Sequence, residues 1–259
     1  MAGGTGVVLD ARMLDHDPGR GHPERADRLR VLRDHLRDAR GLTQVGARVV
    51  TPEELALVHT PALIEAVAAT AGLPRVAFDP DTAASAGSYE AARLAAGGLL
   101  NLCEAVLAGE VDNGFALVRP PGHHAERDRA MGFCLFNNVG VAAAFLRARG
   151  VGRVAVIDWD LHHGNGTQHA FESDPSVLYV STHQYPYYPG TGAAEEVGRG
   201  AGAGYTLNVP LPAGSGDAEM ERAFAEVIVP VCRQFAPEFV LISAGFDADR
   251  RDPLGGLEA

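Results

Sequence analysis

VAVIDWDLHHGNGTQH, residues 154–169, decides how this chain is to be read. Val154 to Ile157 are apolar at consecutive positions instead of alternating with polar residues, the pattern of a strand covered on both faces. The run then gives way to two carboxylates, Asp158 and Asp160, on either side of the chain's single tryptophan, and to adjacent imidazoles, His162 and His163. A strand end needs a turn; it does not need two acids and two histidines in succession. In open parallel sheets, functional groups collect beyond the carboxyl ends of the strands, and this segment has that form.

Outward from it, helical and strand patterns alternate. Residues 22–40 (HPERADRLRVLRDHLRDAR) place Leu29, Leu32 and Leu36 on one stripe and predict a helix. Helices are also predicted over 88–109, which tolerates the internal glycines Gly97 and Gly98, over 136–150, ended by Gly150, and over 221–235, where Pro230 kinks or divides the element. Strands are predicted over 114–120, 152–158, 176–182 and 238–244, the last (EFVLISA) again apolar on consecutive positions. The alternation predicts an α/β protein with a parallel sheet. The unusual residues gather at the strand ends: Arg119 to His124, Asp158 to His163, Ser181 to His183, and Ser243 to Asp249.

The 259 residues suffice for one large single-core domain, 1–259. All 22 basic residues are arginine, and the net charge is −11. Such a chain is a poor candidate for nonspecific nucleic-acid binding, which depends on neutralising phosphates. No apolar run reaches the ~18 residues of a membrane span, and the N-terminus lacks a basic region leading into an apolar one, so no secretory signal is read. Cys103, Cys134 and Cys232 are isolated and lack CxxC spacing, which predicts reduced thiols and a cytoplasmic location. A homo-oligomer is compatible with this composition.

Asp160 and His162 are two positions apart and, in an extended segment, project to one side. A third ligand is best supplied by Asp247, past the strand in SAGFDADRRDPLGG. Two carboxylates and one imidazole suit a divalent metal such as zinc, and three protein ligands leave a position for water or substrate. Asp158 and His163 are the alternative ligands. In RPPGHHAERDRAMGFCLFNN (119–138), His123 and His124 follow a rigid Pro-Pro-Gly bend that can turn both toward one cavity; imidazoles exchange protons near neutral pH, and Asp158 is a candidate to fix a tautomer. Gly132 and Phe133 predict one wall of a narrow apolar slot, and YPYYPGTG (185–192) the other. The glycine runs at 164–166 and 200–204 lack the strand–loop–helix order of a phosphate cradle.

HPERADRL, VHTPALI, VRPPGHHAERDRAMGFCLFNNVGVAA, IDWDLHHGNGTQHAFESDPSVLYVSTHQ, PGTG and ISAGFDADRRDPLGG, spread over residues 15–257, resemble the zinc-dependent histone deacetylase family, nearest its class II branch and the related bacterial amidohydrolases. The resemblance implies a three-layer α/β/α fold with a central, mostly parallel sheet, of the arginase/deacetylase type. It implies zinc on Asp160, His162 and Asp247, and His123 and His124 as the catalytic pair, with His124 as general base and His123 either electrostatic in role or the partner of the leaving amine. Asp158 then orients His123, and Asn165 stands where some members of the family carry an acid partner for His124. It also implies Phe133 and Tyr188 as walls of an acyl-lysine tunnel, Asp79 as a rim acid and Leu254 at the tunnel mouth. For potassium it implies an inner site from Asp158, Asp160, His162, Ser181 and Thr182, and an outer one from Phe171, Asp174, Val177 and Tyr205.

The implied reaction is hydrolysis of an N-acetyl amide, on an acetylated lysine peptide or a small acetylated amine. Leu254 offers no charge to a second ammonium group, so acetyl-lysine is expected over acetylpolyamine. The family's oxyanion-donating tyrosine belongs to a glycine-rich loop beyond DPLGG, and none of the six tyrosines here occupies such a motif. The expectation is that the parent chain continues past Ala259; otherwise the pocket would serve as a zinc-containing acyl-lysine binder of low turnover. An arginase-like ureohydrolase is disfavoured because Gly164 stands where that pattern needs another acid.

Overall fold

The computed structural model describes residues 4–37 and 39–259. The structure divides into two compact units, Met1–Phe145 and Leu146–Ala259.

In the first unit, three parallel strands lie in the order β2-β1-β5: β1 (Gly4–Val8), β2 (Leu42–Gln44) and β5 (Val111–Ala116). A small antiparallel pair, β3 (Val76–Ala77) and β4 (Ala83–Ala84), stands apart. The helices are α1 (Ala26–Leu36), α2 (Pro52–Leu55), α3 (Pro61–Ala68) and α4 (Ser88–Leu107), and α5 (Asn138–Ala148) runs across the unit boundary. Two of them start on threonine caps: Thr51 accepts from the Glu54 amide and Thr60 from that of Leu63. Leu94 and Leu102 of α4 pack on Val7 and Val8 of β1 in two adjoining clusters.

In the second unit, β6 (Val154–Asp158), β7 (Val177–Gln184), β8 (Thr206–Leu211) and β9 (Phe239–Ser243) form one parallel sheet ordered β8-β7-β6-β9. α6 (Asn165–Phe171) links β6 to β7. After β8 come α7 (Asp217–Arg222), a π-helical turn (Ala223–Ile228) and α8 (Val229–Phe235). Phe224, Ile228, Val231, Cys232 and Phe235 cover Ala155, Leu178 and Val180 of the sheet.

The chain is α/β with mostly parallel strands, as the sequence indicates, and several details differ. The helix expected from residue 22 starts at Ala26, because Glu24 is held in a buried contact with Arg119 described below. The strand expected over 114–120 runs from Val111 to Ala116: its partner β1 ends at Val8, which faces Ala116. The helix expected over 221–235 is divided, with Pro230 at the start of its last piece and the π-helical turn ahead of it. FVLI, read as covered on both faces, is covered on one. Leu241 is buried, Val240 and Ile242 are 46% and 49% exposed, and β9 is the outer strand. No helix among the described residues is long and apolar enough to cross a membrane.

Candidate active site

β6 ends at Asp158, and the chain beyond it bends before α6 begins at Asn165. Asp160 and His162 therefore converge in a bend, not in the extended geometry from which their pairing was expected. The loop after β9 brings in Asp247. His162 Nδ1 lies 3.1 Å from Asp160 Oδ1 and 2.9 Å from Asp247 Oδ2. One ligand atom from each residue lies within 4.8 Å of the others, and this is the one such metal-ligating trio among the described residues. The backbone holds it: His162 N donates to Asp160 Oδ1 at 2.8 Å and Leu161 N to Asp247 Oδ1 at 2.9 Å.

This donor set fits zinc. Bonds of about 2.0–2.2 Å in tetrahedral geometry separate ligand atoms by about 3.3 Å, close to the two distances to His162 Nδ1. The cluster also attracts positive charge. Burial alone would lower the His162 imidazole, but its hydrogen bonds with Asp160 and Asp247 outweigh that and hold it up at about 10. A metal cation would displace that proton.

The alternative ligands lie elsewhere. Asp158 is buried; its Oδ1 accepts from Asp160 N at 3.2 Å and its Oδ2 from the Tyr179 hydroxyl at 3.4 Å. His163 bonds Thr191 Oγ1 at 2.8 Å and Gln168 Oε1 at 2.9 Å. Gln168 Nε2 donates at 2.6 Å to Glu196, whose other oxygen accepts from the amides of Gly192 and Ala193. The PGTG loop is thus tied to the segment just after His162. Asn165, buried, opens α6.

Two tyrosines stand over the trio. The ring of Tyr187 lies 5.7 Å from that of His162, tilted 31°, and the ring of Tyr188 lies 6.1 Å away, nearly perpendicular. The Tyr187 hydroxyl donates to the carbonyl of Leu254, which is exposed. Of the two, sequence reasoning singled out only Tyr188. It also passed over Tyr179 and Glu196, whose contacts depend on strand register and loop closure, which no local motif reports.

The other candidate residues belong to the first unit. His123 and His124 are buried, in a turn closed by Ala125 N donating to Gly122 O at 3.0 Å; their ring centroids are 4.0 Å apart. Met131 and Cys134 pair across a two-residue hairpin whose central residues, Gly132 and Phe133, have φ of 57° and 68°. Positive φ at both positions defines the tight hairpin turn that follows strand twist. Phenylalanine is an uncommon choice there, which points to a demand on where its ring stands. Phe133 N donates to Thr82 Oγ1 at 3.0 Å, and its ring meets the His22 ring edge-on at 4.6 Å. Asp79 Oδ1 accepts from the amides of Asp81 and Thr82 at 3.0 and 2.5 Å, so one of its oxygens shapes its own turn.

Parallel strands, a two-carboxylate, one-imidazole trio past their carboxyl ends and a buried histidine pair define a class: α/β proteins that handle a divalent metal and protons. Within that class the chain belongs to the histone deacetylase family, whose Histone deacetylase domain model matches residues 22–259. It is 49% identical over 97% of its length to Histone deacetylase 15 of Arabidopsis thaliana, of which it covers 48%. It is 41% identical over 98% of its length to a probable deacetylase of Archaeoglobus fulgidus, covering 72% of that protein. It is 44% identical over 91% of its length to Polyamine deacetylase HDAC10 of Homo sapiens, covering 38%. The crystal structure of the HDA15 HD domain superposes with a TM-score of 0.96 at 48% identity, over 99% of this chain and 75% of that one. The fold is therefore the arginase/deacetylase α/β fold with its mostly parallel sheet. The chain spans about half the length of the Arabidopsis relative, and family membership implies zinc.

Proposed function

We propose that the chain hydrolyses an N-acetyl amide, acetyl-lysine in protein, releasing acetate and a free amine, with a single zinc ion as cofactor. The observation that carries this reading is the convergence of Asp160, His162 and Asp247 in a chain of this family. Zinc held by these three would polarise the acetyl carbonyl and acidify a bound water. His124 takes the proton of the attacking water and His123 returns one to the departing amine. Asp158 is the orienting acid for His123, a role supported by its burial and its two fixed oxygens. Asn165 is assigned to support His124. Phe133 and Tyr188 line the acyl-lysine slot, with Leu254 at its mouth and Asp79 at its rim.

Potassium is proposed at the oxygens of Asp158, Asp160, His162, Ser181 and Thr182; Thr182 Oγ1, buried without a hydrogen-bond partner, supports it. A second potassium is assigned to Phe171, Asp174, Val177 and Tyr205.

Metal analysis together with an acetyl-lysine peptide assay tests the reading. The chain should hold about one zinc, and Asp247→Ala should lose most of it. Full zinc in that variant would sink the ligand assignment. Bound zinc without turnover would make the chain an acyl-lysine binder, and higher kcat/KM on acetylspermidine than on acetyl-lysine would overturn the substrate.

A further inference from the structure

We propose that the buried Glu24–Arg119 pair positions the catalytic histidines, so that Glu24 and Arg119 govern turnover as well as folding. This rests on the roles proposed above for His123 and His124. Glu24 and Arg119 are 95 residues apart in sequence, and both are almost fully buried, at 1% and 3% exposure. The guanidinium donates through Nε to Glu24 Oε1 at 2.8 Å and through Nη2 to Oε2 at 2.7 Å. Its Nη1 donates to the carbonyls of Met13 and His16 at 2.9 and 2.8 Å. His16, itself buried, bonds Ser88 Oγ at the start of α4 through Nδ1 at 2.7 Å, and its Nε2 lies 3.3 Å from Glu24 Oε2, misaligned for a hydrogen bond. Arg119 is thus fastened to the 13–24 segment by four hydrogen bonds.

A buried ion pair is weak evidence for stability, because apolar residues of similar volume often serve as well. What this pair supplies is a fixed point. From Arg119 the chain runs Pro120, Pro121, Gly122, His123, His124. Proline rings fix φ at two of these positions, and the Pro120 carbonyl accepts from Asn138 Nδ2 at 3.1 Å. Gly122, the one permissive residue, is packed so closely that a β-carbon would meet Asn138 N at 2.5 Å and Phe136 O at 2.9 Å. Few torsions remain to absorb a displacement between the guanidinium and the imidazoles, and proton transfer is sensitive to errors of about 1 Å. The motif HPERADRL, whose glutamate plays no part in the proposed chemistry, acquires a role in this way.

The test uses Glu24→Gln and Arg119→Lys in the whole chain, assayed well below their melting temperatures. Both should lower kcat on an acetyl-lysine peptide by about tenfold or more, with KM and zinc content unchanged, and should speed amide hydrogen exchange at residues 122–125. Glu54→Gln is the control. It weakens the less buried Arg48–Glu54 pair of the same unit and should lower the melting temperature without changing kcat. A Glu24→Gln protein that melts earlier but keeps its kcat and its exchange pattern would overturn the proposal. If the unmodified chain shows no turnover, the proposed function fails, and exchange at 122–125 still decides the positioning role. If Glu24→Gln does not fold, Glu24→Asp, which retains charge but shortens the reach, is judged by the same readouts.

Discussion

Gly132→Ala tests the hairpin that presents Phe133. At φ 57° a β-carbon on residue 132 would lie 2.6 Å from His124 Cγ and 2.8 Å from its Cβ, where ordinary contact begins at 3.4 Å. The hairpin is closed by the Met131–Cys134 pair, so the imidazole, whose Cδ2 would be nearest the new carbon, must give way by about 1 Å. A displacement approaching 1 Å at a proton-transferring group costs on the order of 100-fold in rate. The left-handed backbone adds a separate cost of about 1–2 kcal/mol for alanine, which lowers the melting temperature by about 2–8 °C in a protein of this size. The expected variant is folded, binds zinc normally, melts slightly earlier and turns over about 100-fold more slowly on an acetyl-lysine peptide. Unchanged kcat would refute the steric argument, as would a variant that is slow only because it has lost zinc.

Tyr187→Phe removes one hydroxyl and with it the bond to the Leu254 carbonyl; KM should rise by about three- to tenfold with kcat little changed, and a variant that changes neither would show that the tether does not shape the mouth. For Glu24, burial alone would raise the carboxyl, but the His16 imidazole 3.3 Å away and the hydrogen bonds from Arg119 outweigh it and hold the group at about 2, against an ordinary 4.5. Its folded pKa is depressed, so the stabilisation is complete above 4.5 and lost as pH falls toward 2, about 3 kcal/mol in all. Urea midpoints for Glu24→Gln should therefore fall less between about pH 6 and pH 3 than those of the unmodified chain, and parallel losses would contradict the linkage.

The chemistry was easier to read from the sequence than the geometry that carries it. The metal trio was legible because its residue types are costly anywhere else near a buried strand, although Asp160 and His162 meet in a bend and not in an extended segment. β9 was misjudged because an apolar run reports what a strand is able to bury and not what covers it. β1 and β8 escaped notice, since GTGVV and TLNVPL lie next to glycine-rich segments that read as loops. The Glu24–Arg119 pair could not be read at all, because nothing local in HPERADRL or VRPPGHH points from one to the other. Tyr187 and Tyr188 are adjacent and alike, and only the fold shows that the first ties down Leu254 while both rings stand over His162.

The π-helical turn at Ala223–Ile228 makes this stretch unequally tolerant of length changes. Such a turn accommodates one residue more than a regular helix, and each residue of an α-helix advances the side chains by about 100°. Deleting one residue between 223 and 228 would restore regular hydrogen bonding, yet it would rotate Val231, Cys232 and Phe235 away from Ala155 and Leu178. The locally more regular helix would belong to the less stable protein. In this segment the spacing of residues matters more than their identity, and apolar substitutions should be accepted where single-residue deletions are not.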